Sequence, residues 1–155
     1  MVGFQIGVAV AMLAVGQVDL QLEPELVAQK QAAAKTLDDA MIDRYIAFTR
    51  EAVKTRPTGE FKTEEARDQA DEASAKAAAK KVGLALDKVG PVSLLVQEWN
   101  QVSSPYAGPK GPELKAGFLK RYGQGAVTVL QRNDPKLKKM LQDMVEAEMK
   151  RNQGK

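Results

Sequence analysis

The residues able to do chemistry in this sequence are mainly carboxylates and lysines, because the chain contains no histidine and no cysteine. Without histidine it lacks the commonest general base and metal ligand. Without cysteine it has no thiol nucleophile and can form no disulfide. Histidine-dependent triads, histidine-dependent metalloproteases and thiolate metal sites are therefore excluded. The sequence predicts no metal site and no cofactor.

Glu98 is the first candidate for a catalytic residue if the protein is an enzyme. It is the only charged residue between Gly90 and Ser104, and it lies beside Trp99. A carboxyl group held against an indole ring can stay protonated and act as the general acid of a glycosidase. A small carboxylate-dependent enzyme acting on glycans is therefore one alternative function. It requires Glu98 in a cleft with a second acid facing it.

Three aspartates lie close together at Asp38, Asp39 and Asp43. Like charges one helical turn apart repel each other, so this group could recruit a cation. The alternative is an ordinary solvated helix face, with Lys35 and Arg44 nearby.

The positive charge of the chain belongs to its last third. Residues 105–155 hold eleven lysines and arginines against five acids, whereas the whole chain has a net charge of only +3. Lysines and arginines that follow a polyanion, with an aromatic ring for stacking, are typical of nucleic-acid or anionic-polymer binding. The candidate partner-binding residues are Tyr106, Lys110, Lys115, Lys120, Arg121, Arg132, Lys136 and Lys139. The alternative is a set of solvated faces, because these bases alternate with apolar residues at helical spacing.

The first 16 residues form an uncharged, apolar segment that we interpret as a signal peptide. Its apolar run extends from Ile6 to Val15, and Ala14 and Gly16 supply small residues before a cleavage point at Gln17. A retained membrane anchor and a buried core helix are the two alternatives, although residues 2–18 only just reach the length of a membrane span. Residues 17–155 are expected to form one domain.

The elements that must position these residues are helices. Apolar residues recur at three- and four-residue spacing from Glu25 to Lys54, which predicts one helix of roughly 30 residues. Thr63 is a predicted N-cap for a second helix that ends near Leu86 and packs against the first as an antiparallel hairpin. An alanine seam is predicted on it, at Ala66, Ala70, Ala73 and Ala77.

The second half of the chain predicts three more helices. One begins at Pro91 after a break at Gly90 and is apolar enough to lie at the centre of the fold. Residues 103–112 contain three prolines and two glycines. This composition predicts a loop, and we expect the loop to expose Tyr106. A fourth helix is predicted from Pro112 to about Gln131, although residues 126–130 also suit a short strand. A fifth follows, with Asp134 as its cap and Pro135 in its first turn.

The sequence therefore predicts an all-α, antiparallel bundle of about five helices with an alanine-rich hairpin. The expected function is that of an exported, non-catalytic binding or assembly protein, located in the periplasm or secreted. Its expected partner is a protein or an anionic surface or polymer. A membrane is expected as a partner only if residues 1–16 are retained. The second alternative is a cytoplasmic protein that binds nucleic acid through the basic last third.

Overall fold

The computed structural model describes residues 24–153, and the predicted signal peptide therefore lies outside the described residues. The described chain forms five α-helices and one short 3₁₀ helix. They are α1 (Pro24–Lys35), α2 (Asp39–Thr55), α3 (Glu64–Val82), α4 (Leu86–Ser103), the 3₁₀ helix (Pro105–Lys110) and α5 (Gly111–Gln153). No strand occurs in residues 24–153, so the prediction of an all-α bundle is confirmed and residues 126–130 are helical.

The predicted 30-residue first helix is wrong, because two helices, α1 and α2, cover that stretch. The chain leaves the helical path at residues 36–38, where Asp38 has φ −137° and ψ 174°. The Asp38 carboxylate then accepts a hydrogen bond from the backbone N–H of Met41 at 2.7 Å. This N-cap begins α2. It also supplies the physical reason for the break, since the residue that caps a helix, here Asp38, must itself have a non-helical backbone conformation.

The predicted hairpin of α2 and α3 is present, but its alanine seam differs from the prediction. Thr63 caps α3, as predicted, by accepting from the N–H of Ala66 at 3.1 Å. The helices run antiparallel, because Thr55 contacts Ser74 whereas Glu51 pairs with Lys81. Since α2 ends opposite Ser74, the first half of α3 extends beyond it. The buried alanines are therefore in the second half, at Ala75, Ala78 and Ala79, and not at the predicted positions.

Helix α4 lies at the centre of the bundle, as its apolar sequence predicts, and packs against each of the other four α-helices. It buries Val92, Leu95, Val96, Trp99 and Val102. The predicted start at Pro91 is wrong, because α4 begins at Leu86 and continues through Gly90 and Pro91. A proline there removes only one backbone hydrogen bond, to the carbonyl of Asp87, which is an exposed residue.

The two helices predicted after Pro112 are one helix, α5, interrupted at a different place. Pro135 lies inside α5, and Asp134 does not cap a helix start. The interruption is at Gly123, whose φ of 85° and ψ of 163° suit glycine only. Burial continues across Pro135 through Leu130, Leu137 and Met140. Packing of that face therefore holds the helix together where the local sequence favours a break.

Within the predicted loop at residues 103–112, residues 105–110 instead form the 3₁₀ helix, which leads directly into α5. Ser104 begins it, with its hydroxyl accepting from the N–H of Tyr106 at 3.1 Å. Gly108 departs from helical geometry inside it, with φ 62° and ψ −150°.

Helix α2 and the part of α5 after Gly123 run in parallel. Asp39 pairs with Arg132 near the start of α2, and Arg50 pairs with Asp143 further along both helices. The bundle therefore contains this parallel pair as well as the antiparallel hairpin of α2 and α3. Within residues 24–153, no helix combines the length and the apolar character needed to cross a membrane.

Candidate functional site

The most unusual feature of the interior is a group of charged and polar side chains around Glu98, all of them buried except Arg121, whose side chain is 38% exposed. Helix α4 supplies Glu98, α1 supplies Lys30, and α5 supplies Arg121 and Tyr122 just before its interruption. Lys30 and Glu98 expose only 2% and 4% of their side chains. Because an unpaired charge is costly in the interior, the position of each of these groups is set by its partners.

Both carboxylate oxygens of Glu98 are occupied by donors. Lys30 Nζ and Tyr122 Oη each donate to Oε2 at 2.7 Å. Arg121 donates to Oε1 from one guanidinium nitrogen. Two cations and one phenol therefore surround one carboxylate, and the charged hydrogen bonds offset the loss of hydration.

Aromatic rings form the apolar surroundings of this group. Tyr122 packs edge-to-face on Phe118 with ring centroids 4.6 Å apart, and Phe118 packs in the same way on Trp99 at 5.5 Å. Lys30 Nζ and the Arg121 guanidinium lie 5.7 and 5.6 Å from the Tyr122 ring centroid. Such distances allow cation–π attraction in addition to the ion pairs. We refer to Lys30, Glu98, Arg121 and Tyr122 together as the Glu98 cluster.

The cluster keeps Glu98 ionised. Burial by itself would raise the pKa of Glu98, but hydrogen bonds from Lys30, Tyr122 and Arg121 outweigh it and hold the pKa below its ordinary value. For Tyr122 the same surroundings act in the opposite direction, since burial and the hydrogen bond to Glu98 both raise its pKa. A glycosidase acid needs a raised pKa, so this arrangement differs from the one that the enzyme alternative requires.

The aspartates proposed for cation binding are engaged with groups of the chain itself. Asp38 caps α2, and Asp39 accepts from Asn133 Nδ2 at 2.6 Å as well as from Arg132. Asp43 pairs with Lys136 Nζ at 2.8 Å. The hydrogen bond from Asn133, with the nearby Arg132 and Lys136, lowers the pKa of Asp39 although partial burial opposes it. Within residues 24–153, no three acidic side chains converge as metal ligands would.

The structure divides the predicted partner-binding residues into two groups. Arg132, Lys136 and Lys139 lie after Gly123 and form ion pairs with Asp39, Asp43 and Asp143 at 2.6, 2.8 and 3.1 Å. Arg121 belongs to the Glu98 cluster. These four cations neutralise carboxylates of the bundle, which weakens their attraction for an external polyanion.

The remaining candidates are Tyr106, Lys110, Lys115 and Lys120, all of them exposed. Tyr106 is 95% exposed on the 3₁₀ helix, where Lys110 also lies. Lys115 and Lys120 follow on α5 but point in directions about 140° apart, because five helical residues advance by that angle. Tyr106 and Lys110 therefore share one short element, whereas Lys115 and Lys120 do not share a helix face.

Sequence reasoning identified Glu98 and Arg121 but missed Lys30 and Tyr122 as their partners. Lys30 is 68 positions from Glu98, so no local spacing pattern connects them. A signal was nevertheless present: Lys30 falls on the stripe that includes Leu26, Ala33 and Leu37, where a charge must find a partner or remain in water.

Comparison with known proteins supplies no relative. No protein-family model, curated protein or solved structure matches this chain.

Proposed function

We propose that this protein is a non-catalytic helical binding or assembly protein that works outside the cytoplasm. Its partner is an anionic surface or polymer that contacts Tyr106 and Lys110. The observation that carries this proposal is the exposure of Tyr106, 95% of which meets solvent on a short element. Aromatic residues are enriched at the centres of binding interfaces, and an aromatic ring left in water gains free energy when a partner covers it.

The element that carries Tyr106 has features that reduce its freedom. Pro105 and Pro109 restrict the backbone on either side, and the Ser104 hydroxyl caps the first turn. Ala107 also donates from its N–H to the carbonyl of Ser104 at 3.1 Å. A pre-organised turn loses less conformational entropy when it binds, which supports a role in recognition.

The location outside the cytoplasm rests on the apolar, uncharged segment at residues 1–16. The anionic nature of the partner rests on the exposed Lys110, which lies on the same short element as Tyr106, and on the positive charge of the last third. The glycan-enzyme alternative is less well supported, because donors occupy both oxygens of Glu98.

The test measures binding of the full chain to vesicles containing phosphatidylglycerol and, separately, to inorganic polyphosphate as a soluble anionic polymer. We expect binding that weakens with salt and falls about tenfold in Tyr106→Ser, the loss typical of one central aromatic contact. Lys136→Ser is the matched control, because Lys136 is exposed but paired with Asp43, and it should change affinity less than about twofold.

Equal affinity of wild type and Tyr106→Ser for both probes would contradict the proposed surface. Duplex DNA provides a third probe. Tighter binding to DNA than to either anionic probe, together with an intact mass that retains residues 1–16 in protein from its native host, would favour the cytoplasmic alternative instead.

A further inference from the structure

The connection between α1 and α2 is a place where two conformations of the chain compete. From Glu25 to Lys54 the sequence contains no glycine and no proline, yet the helix is interrupted at residues 36–38. The interior-facing positions stay in helical register across this interruption, with spacings of four and three residues. One row of such positions is Lys30, Ala34, Leu37, Met41, Tyr45, Phe48 and Ala52, and the buried Ala33, Ile42, Ile46 and Thr49 widen the face on either side of it. One continuous helix would therefore present one continuous interior-facing stripe.

Few interactions hold the interruption in place. The short bond from Met41 N–H to Asp38 is the main one. The others are longer: Thr36 N–H to Ala33 at 3.2 Å, Leu37 N–H to Ala34 at 3.4 Å, and the Thr36 hydroxyl to the carbonyls of Ala33 and Ala32 at 3.3 and 3.4 Å. A side-chain N-cap changes an equilibrium constant by about a factor of five, so the hinge itself contributes only a modest difference between the bent form and a straight form whose α1 makes the same groove contacts in a second copy.

The docking of α1 is specific although it buries few large apolar side chains. Within α1 the buried residues are Lys30, Ala33 and Ala34. Lys30 enters the groove between α4 and α5, where it meets Glu98 and Tyr122, and Gln31 donates to the carbonyl of Arg121 at 3.4 Å. The groove therefore recognises α1 by its sequence.

The connection to α2 is only three residues long, and short hinges favour exchange of an element between identical chains. If residues 36–38 become helical, α1 leaves its groove, and the vacated groove matches the α1 of another copy. A second copy of this chain is therefore the partner whose chemistry fits the groove.

We propose that α1 is an exchangeable element: when residues 36–38 straighten, it occupies the α4–α5 groove of a second copy of this chain, and the two copies form a reciprocal dimer. In that dimer Lys30 of each copy pairs with Glu98 of the other. The proposal goes beyond the proposed function and does not depend on it, since it involves neither Tyr106 nor residues 1–16.

The first test compares two N-cap variants of the full chain by sedimentation velocity over a range of concentrations. Asp38→Ala removes the cap that fixes the bend, whereas Thr63→Ala removes the equivalent cap of α3, which lies away from the hinge. Each dimer straightens two hinges, so losing a fivefold factor at each predicts an increase of about 25-fold in the dimer association constant of Asp38→Ala. Thr63→Ala should stay within about twofold of wild type.

The second test uses charge reversal. Lys30→Glu places two carboxylates together in its own groove, and Glu98→Lys places three cations together, because Lys30 and Arg121 both remain. Mixing these two variants allows both pairs to become complementary, but only across two exchanged chains. We expect the mixture to yield a heterodimer, whereas the double variant Lys30→Glu with Glu98→Lys restores the pair within one chain and should match wild type.

A heterodimer in the mixture supports the exchange. Equal dimer association constants for Asp38→Ala and Thr63→Ala overturn the proposal, whether or not the mixture of charge-reversal variants forms a heterodimer. This comparison does not depend on the folding of the charge-reversal variants.

Discussion

At the scale of single residues, the surroundings of Glu98 decide which chemistry a buried carboxyl group can have. A carboxyl group with only apolar neighbours stays protonated and can donate a proton. Glu98 instead receives hydrogen bonds from Lys30, Arg121 and Tyr122, which keep it ionised. Its role in the described structure is to join α1, α4 and α5 through one carboxylate.

The ionisation of Glu98 predicts how its contribution to stability depends on pH. Because its pKa is lower in the folded than in the unfolded chain, that contribution is complete above the unfolded pKa of about 4.3 and is lost as pH falls through the folded pKa. Glu98→Gln cannot titrate, and it leaves Lys30 buried without a counter-charge. It should therefore be less stable than wild type at pH 7, on the order of 3 kcal/mol by urea unfolding.

This difference should narrow at pH 3, because that pH lies below the unfolded pKa, where protonation of the unfolded chain already removes part of the contribution of Glu98 to the free energy of unfolding. Asp43→Asn is the control, because it breaks the exposed pair with Lys136 and should cost less than about 1 kcal/mol at pH 7. A difference between wild type and Glu98→Gln that is as large at pH 3 as at pH 7 would contradict the ionised state of Glu98.

At this scale the sequence singled out two of the four residues of the Glu98 cluster, Glu98 as a candidate acid and Arg121 as a candidate partner-binding residue, but it predicted no contact between them. Glu98 was identifiable as the only charge of an apolar helix, but its neighbour Trp99 suggested a protonated acid. The indole N–H of Trp99 instead donates to Asp134 Oδ1 at 3.0 Å. Adjacent residues on a helix point about 100° apart, so the contacts of Glu98 came from other helices and could not be read locally.

At the scale of the elements, the existence of the helices was predictable, whereas several of their ends were not. Thr63 could be recognised as a cap because a threonine followed by two acids is a local signal. Pro135 was misleading, because burial of Leu130 and Leu137 on either side keeps α5 intact through it. Tertiary packing overrides local propensity at such positions.

The interruption of α5 predicts opposite effects for two nearby glycines. Gly123 has a φ of +85°, so Gly123→Ala should lower the free energy of unfolding by about 1–3 kcal/mol. Gly125 lies in regular exposed helix with nothing within 4 Å of an added Cβ, so Gly125→Ala should raise it by about 0.5–1 kcal/mol. Thermal and urea unfolding of both variants measure the effect. Equal destabilisation by the two substitutions would show that Gly123 is not a special backbone position.

At the scale of the whole molecule, charge complementarity fixes how helices far apart in sequence lie together. Charged residues of α2 face oppositely charged residues of α5 along parallel helices, with pairs separated by 93 residues at Asp43–Lys136 and at Arg50–Asp143. The basic character of the last third is thus partly neutralised within the fold. Composition revealed the excess of bases, but only the parallel arrangement of α2 and α5 shows which of them have internal partners.

The central claim is that the buried charges of this protein hold its helices together. A double-mutant cycle on Lys30→Met and Glu98→Gln, measured by urea unfolding at pH 7, tests it most directly. The pair on exposed residues, Lys136→Met with Asp43→Asn, is the control and should give a coupling energy below about 1 kcal/mol. We predict a coupling energy of roughly 1.5–3 kcal/mol between Lys30 and Glu98, with the double variant more stable than the sum of the single losses implies. Additive losses, with a coupling energy near zero, would contradict the claim.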